Sequence, residues 1–217
     1  MGSASLVTRD NHAVTHTCFA GELHGLACSP RIDDLLRQSG VAGTYLTWRA
    51  HRHFLSAAIR LPGTLLDIGC GNGWLLRCLQ SWSGLTLLPY GIDVDAAGVA
   101  AARVLFPECH RNFAIGSVRD LACLDVPDIP SKFQTIYWNV WDNWSLDTDA
   151  ELHVVATLIE RLNIEGRLIF GFYDPNVRTN EMRADALRAV GLATGPIVRN
   201  PTGAPEVMTW FDNAVSQ

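Results

Sequence analysis

The chain has 217 residues, 48% of them hydrophobic and 18% charged, with a formal net charge of −5. That is ample for one domain with a sizeable core, and it excludes intrinsic disorder, which needs low hydrophobicity and high charge. A mildly acidic chain whose only lysine is Lys132 lacks the basic surface that phosphate backbones demand, which argues against a nucleic-acid clamp.

In chain order, residues 1–28 are polar and aperiodic, and Asp10, His12, His16 and Glu22 interrupt any apolar run. Neither a signal peptide nor a membrane span is expected there or elsewhere. The cysteines, at 18, 28, 70, 78, 109 and 123, never form Cys-x-x-Cys. Zinc and redox-pair readings therefore lack support, and free thiols point to the cytoplasm. Ser29-Pro30 reads as an N-cap with proline in the first turn, opening a short helix through Leu35 and Leu36 that stops at Gly40. A second helix is predicted over 43–60, ended by Pro62-Gly63. From Thr64 the pattern changes to strands at 64–68, 85–94, 112–115, 133–140 and 166–173, separated by helices at 74–82, 96–106, 149–162 and 180–190. Two weaker strands follow at 195–199 and 205–211. Strands alternating with helices predict an α/β, doubly wound, mostly parallel seven-stranded sheet with helices on both faces. The expected organisation is a helical extension over 1–60, folding as a lid, before a main domain over 61–217.

The most informative stretch is Leu65-Leu66-Asp67-Ile68-Gly69-Cys70-Gly71-Asn72-Gly73-Trp74. A buried strand runs into three glycines at alternate positions and a helix begins at once. Glycine is needed where the backbone turns sharply and where a ligand approaches closer than a Cβ allows. Ligands of such sheets bind outside the carboxyl ends of the strands. Twenty residues beyond Gly73, Tyr90-Gly91-Ile92-Asp93 sets a carboxylate at the end of the second strand, where it can accept both hydroxyls of a ribose. The pairing points to a nucleoside-containing ligand. A dinucleotide fingerprint would need its third glycine where Trp74 stands, and no Gly-x-x-x-x-Gly-Lys-Ser/Thr cradles a triphosphate.

On these residues the chain resembles the class I (Rossmann-like) S-adenosylmethionine-dependent methyltransferases, over roughly residues 60–212. The resemblance implies that Asp67 holds the methionine end of the cofactor. Gly69, Gly71 and Gly73 would leave room for its amino-acid and ribose portions. Asp93 would take the ribose hydroxyls, with Val94 against the adenine. Phe113-Ala114-Ile115-Gly116-Ser117-Val118 resembles the adenine-binding segment. Ser117 replaces a frequent aspartate, so a side-chain contact to the adenine amine is weakened, while Val118 still offers a backbone amide. The Asn/Asp-Pro-Pro-Tyr signature of nucleobase amino-methylating members is absent, since Val140 and Trp141 follow Asn139.

Tyr137-Trp138-Asn139-Val140-Trp141-Asp142-Asn143-Trp144 has four aromatics in eight residues and should sit beside the transferred methyl. Tryptophan faces hold planar rings by stacking, or cationic amines by cation–π attraction of about 0.5–2 kcal/mol. Trp138, Trp141 and Trp144 are candidates for acceptor binding, equally readable as core. Asn139 and Asp142 are the polar candidates for orienting the acceptor in catalysis. Tyr45, on the predicted lid, and Tyr173, ending the fifth strand, are further substrate-binding candidates. His12, His16 and His24 in the N-terminal segment could also reach the acceptor. His51 and His53 point to different helix faces and do not make a metal pair. The expected activity is methyl transfer to a small aromatic or amine-bearing metabolite, on oxygen or nitrogen, releasing S-adenosylhomocysteine. Two alternatives stand beside it: a cofactor-binding protein of this fold without methyl transfer, and an RNA or protein methyltransferase. No metal site and no membrane partner are expected, and a homodimer is compatible with the fold although no segment marks an interface.

Overall fold

The computed structural model describes residues 30–38, 43–140 and 143–214. His12, His16, His24, Trp141 and Asp142 lie outside the described residues. Among the described residues, the helices α1 (Pro30–Gln38) and α2 (Tyr45–Arg52) precede the strand β1 (Gly63–Ile68). Then come α3 (Trp74–Ser83), β2 (Leu87–Asp93), α4 (Ala96–Leu105), β3 (Phe113–Ile115), β4 (Phe133–Val140), α5 (Asp149–Glu160), β5 (Leu162–Phe172), α6 (Val177–Ala189), β6 (Val198–Arg199) and β7 (Val207–Asp212). One seven-stranded sheet has the order β3-β2-β1-β4-β5-β7-β6. β1 to β5 pair in parallel, and β7 runs antiparallel to both β5 and β6.

The helix starts are written locally. Asp95 accepts from the Ala97 and Gly98 amides ahead of α4. Thr148 does so from Glu151 ahead of α5, and Asn176 from Arg178 ahead of α6. Each side chain satisfies amides that have no partner inside the helix. Two buried clusters cover the two faces of the sheet. α1, α2, α3 and α4 pack with Leu65, Tyr137, Ile169 and Met208 on one face. α5 and α6 pack with Ile136, Trp138, Phe170 and Phe172 on the other. Because a strand buried on both faces turns apolar side chains to both layers, the middle of β4 reads Ile136-Tyr137-Trp138 without alternation.

Among the boundaries that depart from the predicted ones, three have a visible cause. The helix expected over 43–60 stops at Arg52, and His53–Ala58 tightens into a 3₁₀ turn that buries Phe54, Leu55 and Ala58. The helix expected to reach Leu162 ends at Glu160, because the Arg161 carbonyl accepts from the Phe133 amide at 2.7 Å and Leu162 joins the sheet beside Phe133. β5 therefore starts before Gly166, with a register shift opposite Phe133 and Thr135 and with Glu165 at φ +61°.

Candidate cofactor and acceptor site

Where β1 ends, the turn is fastened to β2 by backbone and by one side chain. Gly69 and Cys70 both donate to the Ile92 carbonyl, at 2.8 and 3.0 Å, and Gly73 donates to Cys70 at 2.9 Å. The Gly71 amide then donates to Asp93 Oδ2 at 2.7 Å, while Oδ1 accepts from the Asp95 amide at 2.8 Å. The acid predicted from spacing thus meets the glycine turn directly. Gly71 has φ +50°, and a Cβ there would find nothing within 4 Å. Its open side is where a ligand could approach the backbone. Gly73 has φ +74°, but a Cβ there would lie 3.0 Å from the Phe106 ring and 3.2 Å from Ala102. The space beside Gly73 is filled by α4 and the residue after it, not left for a ligand.

Asp67 lies on the α1–α4 face and is 2% exposed, and its Oδ1 has no hydrogen-bond partner. Burial pushes its carboxyl up to about 8, with the neighbouring Asp93 carboxylate adding to the rise. An orphaned buried acceptor is rare in folded proteins and calls for a partner. An open cradle at Gly71, an unpartnered carboxyl at Asp67 and a carboxylate at Asp93 fit a nucleoside with a cationic amino-acid arm.

A cavity of about 440 Å³ opens at the carboxyl ends of β1, β2 and β4. Gly69, Asp93, Val94, Ser117, Val118, Trp138 and Trp144 line it together, with Ile68, Ile92, Gly116, Arg119 and Asn143. Val94 is exposed at its rim. The Ser117 hydroxyl accepts from the Arg119 amide at 3.2 Å, closing a local turn. Arg119, which the sequence did not single out, places its guanidinium 4.1 Å from the centre of the Trp144 ring. Only its exposed charge next to the adenine-like segment could have flagged it.

Alternation along β4 divides the aromatic segment. Trp138 goes to the α5–α6 face, 1% exposed, and meets Trp144 edge-on at 4.8 Å and Phe170 at 6.1 Å. Tyr137 goes to the other face and stands beside Asp67 in the β1–β4 register. Its hydroxyl hydrogen-bonds the Tyr173 hydroxyl. Asn139, half-buried one pleat further on, shares that face at the end of β4. Burial pushes the phenols of Tyr137 and Tyr173 up, so neither is a ready base. Arg52 stacks 3.8 Å from the Tyr173 ring centre and donates to Glu206 at 3.1 Å. Glu206 also meets His51 Nδ1 at 2.6 Å and accepts from Asn200 at 3.1 Å. Tyr45 stays apart from this assembly. Its hydroxyl accepts from Trp82 Nε1 at 3.2 Å and its ring packs edge-on to Trp74, along α3. Among the described residues no group of His, Cys, Asp and Glu could hold a metal ion, and no helix is long and apolar enough to cross a membrane.

No family model matches the chain. A curated relative, the malonyl-acyl-carrier-protein O-methyltransferase of Halalkalibacterium halodurans, is 32% identical over 120 residues, which is 53% of this chain and 41% of the relative. The chain thus matches about two fifths of that relative's length. Among solved structures, a TehB-like S-adenosylmethionine-dependent methyltransferase from Corynebacterium glutamicum superposes with a TM-score of 0.53 at 18% identity, covering 83% of this chain and 95% of that one. The N-methyltransferase NodS from Bradyrhizobium japonicum gives 0.53 at 15% identity, covering 78% and 96%. At such identities the solved structures speak for the fold alone. In its strand order the chain thus has the fold of the class I, Rossmann-like S-adenosylmethionine-dependent methyltransferases, and over about half of its length its sequence is similar to a methyltransferase.

Proposed function

We propose that this chain transfers a methyl group from S-adenosylmethionine to an oxygen or nitrogen of a small-molecule acceptor. The observation that carries the reading is the turn itself: the orphaned Oδ1 of Asp67, the open side of Gly71 and the Asp93 carboxylate lie together at the carboxyl ends of the adjacent strands β1 and β2. In this reading Asp93 accepts from the ribose hydroxyls while still held by the Gly71 amide. Asp67 receives the methionine ammonium, which converts a costly buried carboxyl into an ion pair. Val94, Ser117 and Val118 bound the adenine, and Gly69 lets the backbone pass close beneath it.

When bound, the cofactor supplies an electrophilic methyl on a sulfonium that loses its charge as it reacts. The chain's own contribution is then alignment and exclusion of water. Asn139 and the Tyr137–Tyr173 hydroxyl pair lie on the Asp67 face at the ends of β4 and β5, suited to hydrogen-bonding an acceptor. Trp138 and Trp144 serve as walls: Trp138 is enclosed, and Arg119 already covers a face of Trp144. A second cation there is disfavoured, which supports a neutral or anionic acceptor over an amine. The name of the curated relative, an O-methyltransferase, supports oxygen as the atom methylated. The acidic net charge favours a small molecule over RNA, and the free thiols of Cys70, Cys78 and Cys123 suit a cytoplasmic setting.

Calorimetric titration with S-adenosylmethionine, S-adenosylhomocysteine and NAD tests the cofactor. Micromolar binding of the first two with NAD silent is expected, and Asp93→Ala should weaken both at least tenfold. Silence from all three would sink the reading. Assays for S-adenosylhomocysteine release over small carboxylic acids, phenols and amines then separate transfer from binding without transfer.

A further inference from the structure

Asn72 sends its side chain out of the glycine turn to a helix far off in sequence. It is buried, at 4% exposure, between the open Gly71 and the N-cap Gly73. Its Oδ1 accepts from the Trp74 amide at 3.1 Å, and its Nδ2 donates to the Leu35 carbonyl of α1 at 2.8 Å. These two bonds fix which end of the amide is which, since only that orientation makes both. Leu35 lies in the last turn of α1. The Trp74 amide is one of the unpaired donors at the start of α3. One side chain therefore joins the last turn of α1 to the beginning of α3. α1 brings Ile32, Leu35 and Leu36 into the buried cluster beside that contact.

We propose that Asn72 is a positioning residue that couples the docking of α1 to the shape of the cofactor turn, so that cofactor binding and the order of α1 rise together. The inference rests on the cofactor reading above. Gly71 and Gly73, whose positive φ angles shape the turn, flank Asn72 directly. If α1 leaves, Nδ2 loses the acceptor that fixes the orientation of the amide, and the Oδ1 bond to the Trp74 amide is no longer held in place. The side chain must then turn, and the turn with it. By linkage, whatever α1 adds to cofactor affinity the cofactor returns to α1.

The discriminating variant is Asn72→Asp, which keeps an acceptor for the Trp74 amide and loses the donor to Leu35. Ile32→Ala loosens α1 from the core without touching the turn. Titration with S-adenosylhomocysteine should show Kd raised about tenfold in each variant, and the double variant hardly weaker than either alone, because both act through one event. Hydrogen exchange of amides 32–38 should slow on adding S-adenosylhomocysteine to the wild-type chain and should no longer respond to it in Asn72→Asp. A role confined to stability would lower the melting temperature and leave that ligand response intact. Ligand binding with unchanged exchange in α1, or additive losses in the double variant, overturns the coupling alone. Absence of binding to the wild-type chain overturns the cofactor reading instead.

Discussion

Gly71 and Gly73 stand two residues apart in one turn and are glycine for different reasons. Both have positive φ, which costs another residue roughly 1–2 kcal/mol. At Gly71 that strain is the whole structural cost, because an added Cβ meets no protein atom. At Gly73 the Cβ would also press on Phe106 and Ala102. Gly71→Ala should therefore fold, lose about 1–2 kcal/mol in urea unfolding, and bind S-adenosylhomocysteine at least tenfold more weakly because the methyl occupies the ligand's side. Gly73→Ala should lose more stability, about 2–4 kcal/mol once overpacking is added, with a smaller change in affinity. If the two ranks come out reversed, the open side of the turn has been misassigned. The spacing of these glycines and of Asp93 was legible in the sequence because it is local. Which glycine faces the ligand was not, since α4 decides it.

At the scale of elements, the least legible feature is how α2 reaches the sheet. Apolar periodicity over 43–60 predicts one helix, yet the chain tightens after Arg52, and the tie that holds it comes from just before β7. Glu206, nearly buried, collects His51, Arg52 and Asn200. No local pattern announces such a tie, because its partners are far apart in sequence and only the closed sheet brings them together. Arg52 carries the effect onward, lying over Tyr173 as well as over Trp48. Glu206→Gln keeps the shape of the side chain and removes its charge, leaving Arg52 against two aromatic rings without its counter-ion. Removing one partner of a buried, hydrogen-bonded ion pair is costly, and partial exposure of His51 moderates it here, so a loss of about 1–3 kcal/mol is expected. That corresponds to a melting temperature lower by roughly 2–4 °C for each kcal/mol. An unchanged melting temperature would mean that α2 is held by its apolar side chains alone.

For the whole molecule, the doubly wound order and the carboxyl-end site follow from one rule of connection, which is why fold and cofactor turn were readable together while the acceptor face was not. The acceptor face proposed above draws on β4, β5 and α2 at once, and Tyr137 enters that proposal because it falls opposite Asp67 in the register. Asp67 also ties folding to binding. Its carboxyl is raised to about 8 in the fold, far above its value in an unfolded chain, because the fold surrounds it with apolar atoms and the Asp93 carboxylate. Between about pH 4 and pH 8 the unfolded chain has released this proton and the folded chain keeps it. The contribution of Asp67 to stability is thus largest at low pH and falls as pH rises towards about 8. A ligand ammonium reverses the balance by favouring the carboxylate, so binding expels the proton. Affinity for S-adenosylhomocysteine should accordingly rise about tenfold per unit between pH 6 and pH 7.5, and the calorimetric enthalpy at pH 6.5 should vary with the ionisation enthalpy of the buffer as for release of about one proton. Asp67→Asn, which cannot ionise, should raise the melting temperature of the ligand-free chain at pH 7.5, abolish the buffer dependence and weaken binding at least tenfold. A buffer-independent enthalpy in the wild-type chain would mean that the ammonium is received elsewhere, and that the orphaned oxygen of Asp67 is not the partner the ligand seeks.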